Sequence, residues 1–294
     1  MNIKENTLFK SDVTVFNDKF NVDNLHLYQL NMYLDGQNLS VFVYNTENNR
    51  ALLLEKYSFQ DNIQESNIIE ALDAIFTGHS YINAGFWKGI KIVIKSKNFT
   101  FLPNAIFDFA ERENYLKLCT EYNDKKESIL ITKQPKLNLT TVFSIEDTFL
   151  KFFRNKYPSK EVKISSHIDT FISLLLKDNL NKRNNELFII AQDNKISIVK
   201  FNKEDLQYAN IFDFRSSEDL TYYTMLVINE LGLNPDIISM TLWGNMDTSS
   251  IYFKRLSEYI KNISLGNRPE GLTFGYQFDE VDESQFYDLM GASL

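Results

Sequence analysis

One cysteine in 294 residues, Cys119, excludes an intrachain disulfide and any cysteine-rich metal cluster, which fits a reducing compartment. No apolar run approaches the roughly 20 residues that span a bilayer. The opening MNIKENTLFKSD also lacks the apolar core of a secretory signal, so the expectation is a cytoplasmic protein with no membrane insertion. Basic charge is scarce: 31 Lys and Arg stand against 39 Asp and Glu, a formal charge of −8, and no local basic patch offsets it, which disfavours nucleic acid as a partner. The three histidines, His26, His79 and His167, lie far apart and in no metal-ligand spacing, so no metal centre is expected. The sequence contains no G-x-S-x-G elbow, Walker loop or G-x-G-x-x-G fingerprint, and with them it lacks any complete catalytic signature.

What is present is a foldable chain. A hydrophobic fraction of 44% with 24 Phe and 15 Tyr predicts dense aromatic packing, and the length accommodates two domains. Alternation predicts strands near 25–34, 38–45 and 50–58, then a helix over SNIIEALDAIF with Ser66 as its N-cap and Gly78 as its stop. Short strands follow in GIKIVIKS and NFTFLP, a helix through AIFDFAERENYLKLC, strands in SILITKQ and TTVFSI, and a helix closed by Pro158. A helix over SHIDTFISLLLKD, capped by Ser165 or Ser166, leads into the second half, and His167 beside those serines reads as part of the cap.

There the grammar repeats. Strands near 186–192, 195–202 and 206–214 precede a helix from Ser217 to Gly232, a buried strand DIISMTLW, a helix over SSIYFKRLSEYIKN, a last strand near GLTFGYQF and a short helix near SQFYDLM. An offset of 157 residues carries Leu39 to Ile196, Ser40 to Ser197, Tyr44 to Phe201, Glu47 to Glu204 and Tyr57 to Phe214 without a gap. Three strands then a helix, twice, predict two α/β lobes of one plan, at 1–160 and 161–294. The acidic run FDEVDESQFYD reads as a solvated surface segment.

Two lobes that each open on a hairpin match the actin and hexokinase plan, in which the hairpin turns approach a nucleotide's phosphates from opposite sides of a cleft. Such turns use Asp to hold hydrated Mg²⁺ and Gly to let backbone N–H groups reach phosphate oxygens. The first turn offers Asp35 and Gly36, and the second offers Asp193 but no glycine. The adenosine loop of that plan corresponds to Trp243, Gly244 and Asn245, where small residues are expected. Each has a plainer explanation, since Asp-Gly and Asp-Asn are common hairpin turns and an indole at Trp243 can simply fill its own space.

The stretches FTFLPNAIFD (99–108), LTYYTMLVINELGLNPD (220–236) with LWGN (242–245), and YIKNISLGNRP (259–269) together resemble a Bacteroidota family known as domain of unknown function 3822. The resemblance covers most of the chain. It implies a duplicated, ribonuclease H-like actin-type ATPase fold, similar to the cell-division and pilus-assembly members that serve as intracellular scaffolds. It carries no catalytic residue onto this sequence. The expectation is thus a non-catalytic adaptor or scaffold working through a protein partner, self-association included, with an ATP and Mg²⁺ binding switch as the alternative.

Overall fold

The computed structural model describes residues 8–60 and 64–292. The chain divides into two compact units: Met1–Thr170 with Gly271–Glu280 and Ala292–Leu294, and Phe171–Glu270 with Val281–Gly291. The elements of the first unit are β1 (Phe9–Phe16), β2 (Tyr28–Leu34), β3 (Asn38–Asn45), β4 (Arg50–Phe59), α1 (Glu65–Gly78), β5 (Gly89–Ile94), β6 (Phe99–Pro103), α2 (Arg112–Cys119), β7 (Glu127–Gln134), β8 (Leu139–Glu146), α3 (Asp147–Lys156) and β9 (Val162–Ser166). The division falls within α4 (His167–Lys177). The second unit continues with β10 (Glu186–Gln192), β11 (Lys195–Asn202), β12 (Asp205–Asp213), α5 (Ser217–Glu230), β13 (Ser239–Gly244), α6 (Ile251–Ser257), β14 (Asn262–Leu265) and α7 (Tyr287–Gly291).

The main sheet of the first unit runs β1-β4-β3-β2-β5-β9 and the sheet of the second runs β12-β11-β10-β13-β14. Apart from the added edge strand β1, these are one topology. An antiparallel meander (β2 to β4, or β10 to β12) is followed by a 14-residue helix, and two parallel strands then extend the sheet beside the first strand. The match extends to a defect: the ladder slips between Val43 and Tyr44 in one unit and between Lys200 and Phe201 in the other, positions that the 157-residue offset superimposes. A shared bulge at one aligned position is a stronger mark of duplication than shared alternation, because bulges are specific departures from regular pairing. The units differ in what joins their parallel strands. Between β13 and β14 lies α6, whereas between β5 and β9 the chain inserts α2, α3 and a three-stranded sheet of order β6-β8-β7.

The central strands are buried on both faces, as a sheet covered on both sides requires; β3 is buried from Asn38 to Tyr44. In α1, Ile68, Leu72, Ile75 and Phe76 share the core-facing stripe at helical spacing, and Phe76 packs edge-on to Phe152 of α3. Phe214, Leu220, Val227 and Leu242 lie in the core of the second unit.

Several expectations are corrected. Ser66 is inside α1 and bonds the Asn67 side chain; the N-cap position is Gln64. The helix expected from Ala105 begins only at Arg112, because the Asp108 carboxylate accepts the Ala110 N–H and caps a separate 3-10 turn over Phe109–Glu111. Residues 162–166, given no element by the sequence beyond a cap at Ser165 or Ser166, form β9 and pair in parallel with β5. The helix over 249–262 stops at Ser257, and Asn262–Leu265 is strand β14. The expected last strand near GLTFGYQF reduces to one bridge from Thr273 to Arg50, with Tyr276–Phe278 forming a 3-10 turn. The acidic segment is only half solvated: Asp279, Glu280, Asp282 and Glu283 are exposed, but Phe278 before them, Val281 between them and Phe286 and Tyr287 after them are buried.

Candidate functional site

Parallel strands in an open α/β sheet present their carboxyl ends as a ligand crevice. In the first unit those ends belong to β2, β5 and β9, and they bring together Tyr33, Asp35, Lys95 and His167. Asp35 is buried and turned into its own hairpin: Oδ1 accepts the backbone N–H of Gln37 at 2.9 Å and of Asn38 at 2.7 Å, and the Asn38 amide reaches both carboxylate oxygens. These bonds are an Asx-type closure of the turn, the same N–H groups that a phosphate-binding turn would offer to a ligand. Gly36 has φ +84°, a conformation that favours glycine, and the space where a Cβ would sit is open.

Next to the turn, the Tyr33 hydroxyl meets Nδ1 of the fully buried His167 at 2.6 Å, and the Lys95 ammonium stands 5.8 Å from the centre of the Tyr33 ring. Sequence reasoning missed Tyr33 and Lys95. The signal that would have found them is positional: Tyr33 is the penultimate residue of β2 and Lys95 the residue after β5, both at the carboxyl end of a strand.

In the second unit Asp193 and Asn194 both adopt positive φ, 55° and 59°, and form a two-residue turn closed by the Gln192–Lys195 pair. That is the I′ geometry whose twist suits a hairpin. The Gln192 side-chain amide donates to the Asp193 carboxylate at 3.0 Å.

The loop after β13 is filled by its own residues. Trp243 is buried and stacked on Tyr287, with ring centres 4.3 Å apart and planes 19° apart, while Phe171 meets the indole edge-on. Its Nε1–H donates to the Asn267 carbonyl at 2.9 Å. Gly266 is required beneath the indole, since a Cβ there would fall 2.0 Å from the ring. The Gly244 N–H donates to the Ser284 carbonyl at 2.9 Å, and the Ser284 hydroxyl donates back to the Gly244 carbonyl at 3.2 Å. Asn245 is exposed and its Oδ1 accepts from the Gln285 amide. The aromatic space of this loop and its backbone donor are thus both taken up internally.

Two buried acids lie elsewhere in the first unit. Glu55 sits with His79, Tyr57 and Tyr81: the Tyr81 hydroxyl donates to Glu55 Oε1 at 3.2 Å, and the Tyr57 hydroxyl lies 2.8 Å from His79 Nε2. Burial raises the Glu55 carboxyl to about 7 and lowers the His79 imidazole to about 4, so His79 is neutral at neutral pH while Glu55 is neutral below about 7 and titrates through it. Asp169, in the first turn of α4, accepts from Thr141 and Gln134 and is raised by burial to about 6. It ties α4 to the inserted sheet. Among the described residues no group of three or more His, Cys, Asp and Glu is placed to hold a metal ion, and no helix is long and apolar enough to cross a membrane.

Duplicated topology and paired turns define the class. The chain has the actin-like ATPase fold, as does a protein of unknown function from Bacteroides thetaiotaomicron that it matches with a TM-score of 0.74 at 20% identity, over 84% of this chain and 93% of that one. A chain of the PilM–PilN type IV pilus biogenesis complex matches with a TM-score of 0.59 at 10% identity, over 90% and 97% respectively. No curated protein matches the sequence. Residues 17–263 match the model of the family described as "Protein of unknown function (DUF3822)", and the chain belongs to that family.

Proposed function

We propose that this protein is a non-hydrolytic member of the actin-like class that acts as an adaptor or scaffold through protein contacts. The observation that carries the reading is the loop after β13, where the Gly244 N–H is bonded to Ser284 and the Trp243 indole is stacked on Tyr287. The closed Asp35 turn and the two-residue turn at Asp193 point the same way, since a nucleotide would have to displace existing bonds to gain its own. A protein assembly is also the setting in which the PilM–PilN relative is found. The single cysteine fits the same reading in a cytoplasmic setting.

The test is a thermal-shift and calorimetric titration with ATP and Mg²⁺. A ligand at 100 times its dissociation constant stabilises the native state by about 2.7 kcal/mol, so a functional site is visible at millimolar nucleotide. No shift and no phosphate release are expected. Binding, or hydrolysis lost in Asp35→Ala or Asp193→Ala, would replace this reading with a nucleotide-dependent switch in which Asp35 and Asp193 hold Mg²⁺ and Gly36 and Gly244 admit the phosphates. The open space at Gly36 is the observation in favour of that second reading.

A further inference from the structure

The inserted sheet has two edges of different character. β6 is five residues long, ends on Pro103 and packs against α2. Proline and a covering helix are ordinary ways to protect an edge. β7 touches α3 and β9, but its eight residues, ESILITKQ, contain no Pro or Gly and form ladder pairs only with β8 among the described residues, which leaves its outer edge unpaired.

The Asp147 N–H bonds the Lys126 carbonyl, which continues the β7–β8 ladder by one position and fixes its phase. Ser128, Leu130 and Thr132 therefore direct their N–H and C=O groups at β8, and Glu127, Ile129, Ile131 and Lys133 direct theirs outward. The outward groups of Glu127 are used locally, its N–H by the Asn123 carbonyl and its carbonyl by the Tyr122 hydroxyl. Those of Ile129, Ile131 and Lys133 meet no partner among the described residues. Side chains follow the same alternation. Ser128 bonds Asp147 and Leu130 packs on the core, while Ile129, Ile131 and Lys133 lie on the other face, half-buried or exposed.

We propose that β7 is a homodimer interface, in which two copies of the chain join their inserted sheets by antiparallel pairing of β7 with β7 about Leu130. Residues that bond outward must then face one another, and this register satisfies that condition: Ile129 and Ile131 of one copy exchange both main-chain bonds with Ile131 and Ile129 of the other. It also sets Glu127 opposite Lys133 and Ser128 opposite Thr132, each pair twice by symmetry. Glu127 has one polar side-chain neighbour, the Asn98 amide at 3.5 Å, and Lys133 is exposed, so both are free to make the cross-strand pair. Centring the pairing on Ile131 instead keeps the backbone phase but puts Lys133 against Ile129, so charge complementarity selects the first register. The strand is self-complementary, and its occupant is a second copy of the same chain.

This deepens the contact-based function and rests on it for biological meaning, but its test does not involve nucleotide, so the two fail separately. Analytical ultracentrifugation of the full chain should show a dimer. Glu127→Lys and Lys133→Glu each place like charges opposite one another at both symmetric positions, and each should raise the dissociation constant at least about tenfold. The double variant E127K/K133E restores opposite charges and should restore the dimer. Ile131→Pro removes an outward N–H and no bond to β8, and should give a monomer with an unchanged circular dichroism spectrum. A monomeric wild type, a dimer indifferent to both reversals and to the proline, or a double variant no tighter than the single ones would overturn the proposal.

Discussion

Replacing Gly244 by alanine separates a structural glycine from a ligand-admitting one. Gly244 closes the parallel pairing of β13 with β10, opposite Ala191, at φ +141°, a region that side chains other than glycine's rarely enter. A Cβ there would fall 2.0 Å from the Ala191 carbonyl oxygen and 2.9 Å from its carbon, so the two strand ends must separate. Backbone strain costs about 1–3 kcal/mol. Separation also disturbs the bonds from Gly244 N–H to Ser284 and from Met246 N–H to the Gly244 carbonyl, at about 1 kcal/mol each. The expected loss is about 3–5 kcal/mol, read by urea denaturation, and in thermal melts the transition that includes β10 and β13 should fall by at least about 10 °C. Gly36→Ala is the control: its φ is +84° but no atom crowds the Cβ, so it should cost only about 1–2 kcal/mol. A Gly244→Ala protein that loses under about 1 kcal/mol would refute the reasoning, and one that folds normally while losing affinity for ATP would assign the glycine to a nucleotide.

Glu55→Gln should flatten the alkaline side of the stability profile. The folded-state pKa of Glu55 lies above its unfolded value, so its contribution is complete below about pH 4 and is lost as pH rises through about 7; urea unfolding from pH 5 to 8 should show wild type losing on the order of 2 kcal/mol relative to the variant. His79 acts with the opposite sign, its contribution being complete above about pH 6.5 and lost as pH falls through about 4. Asn194→Gly should be neutral or stabilising by about 0.5 kcal/mol in thermal melts, because glycine occupies the positive φ of an I′ turn at lower cost; a loss above about 1 kcal/mol would mean that the Asn194 side chain does more than permit the turn.

Strands whose alternation is strong were legible almost to the residue. β3, β10 and β11 have the expected bounds, because a buried two-faced strand between polar turns admits one register. What escaped were elements whose identity depends on a distant partner. β9 and β14 are short and only partly buried, and they are strands because β5 and β13 supply parallel neighbours. β1 is mostly exposed and is fixed by pairing with β4. Helix starts failed where a polar residue had two possible employments: Asp108, in the middle of an apolar pattern, spends its carboxylate on a cap. At the candidate site the sequence named Asp35, Gly36 and Trp243, but it could not show that the Asp35 oxygens face their own turn or that Tyr287 lies flat on the indole. Those are facts of side-chain direction, and composition and spacing do not encode them.

The two turns have one length but two shapes. Leu34 pairs with Leu39 and Ala191 with Ile196, and the Asp35 N–H bonds the Asn38 carbonyl at the position where Gln192 pairs with Lys195, so the 157-residue offset holds through both turns. Gly36 and Gln37 therefore correspond to Asp193 and Asn194. In the first turn a side-chain carboxylate gathers the N–H groups of Gln37 and Asn38, and Gly36 alone of the two central residues has positive φ. In the second turn both central residues take positive φ, and the position equivalent to Asp35 is Gln192, which has no carboxylate. The missing glycine of the second turn thus comes with a different turn type and without the carboxylate that gathers the N–H groups, and one substitution does not restore both. Asn194→Gly should consequently leave ATP binding as absent as in the wild type; nucleotide binding gained by that single substitution would show that a glycine alone had been lacking.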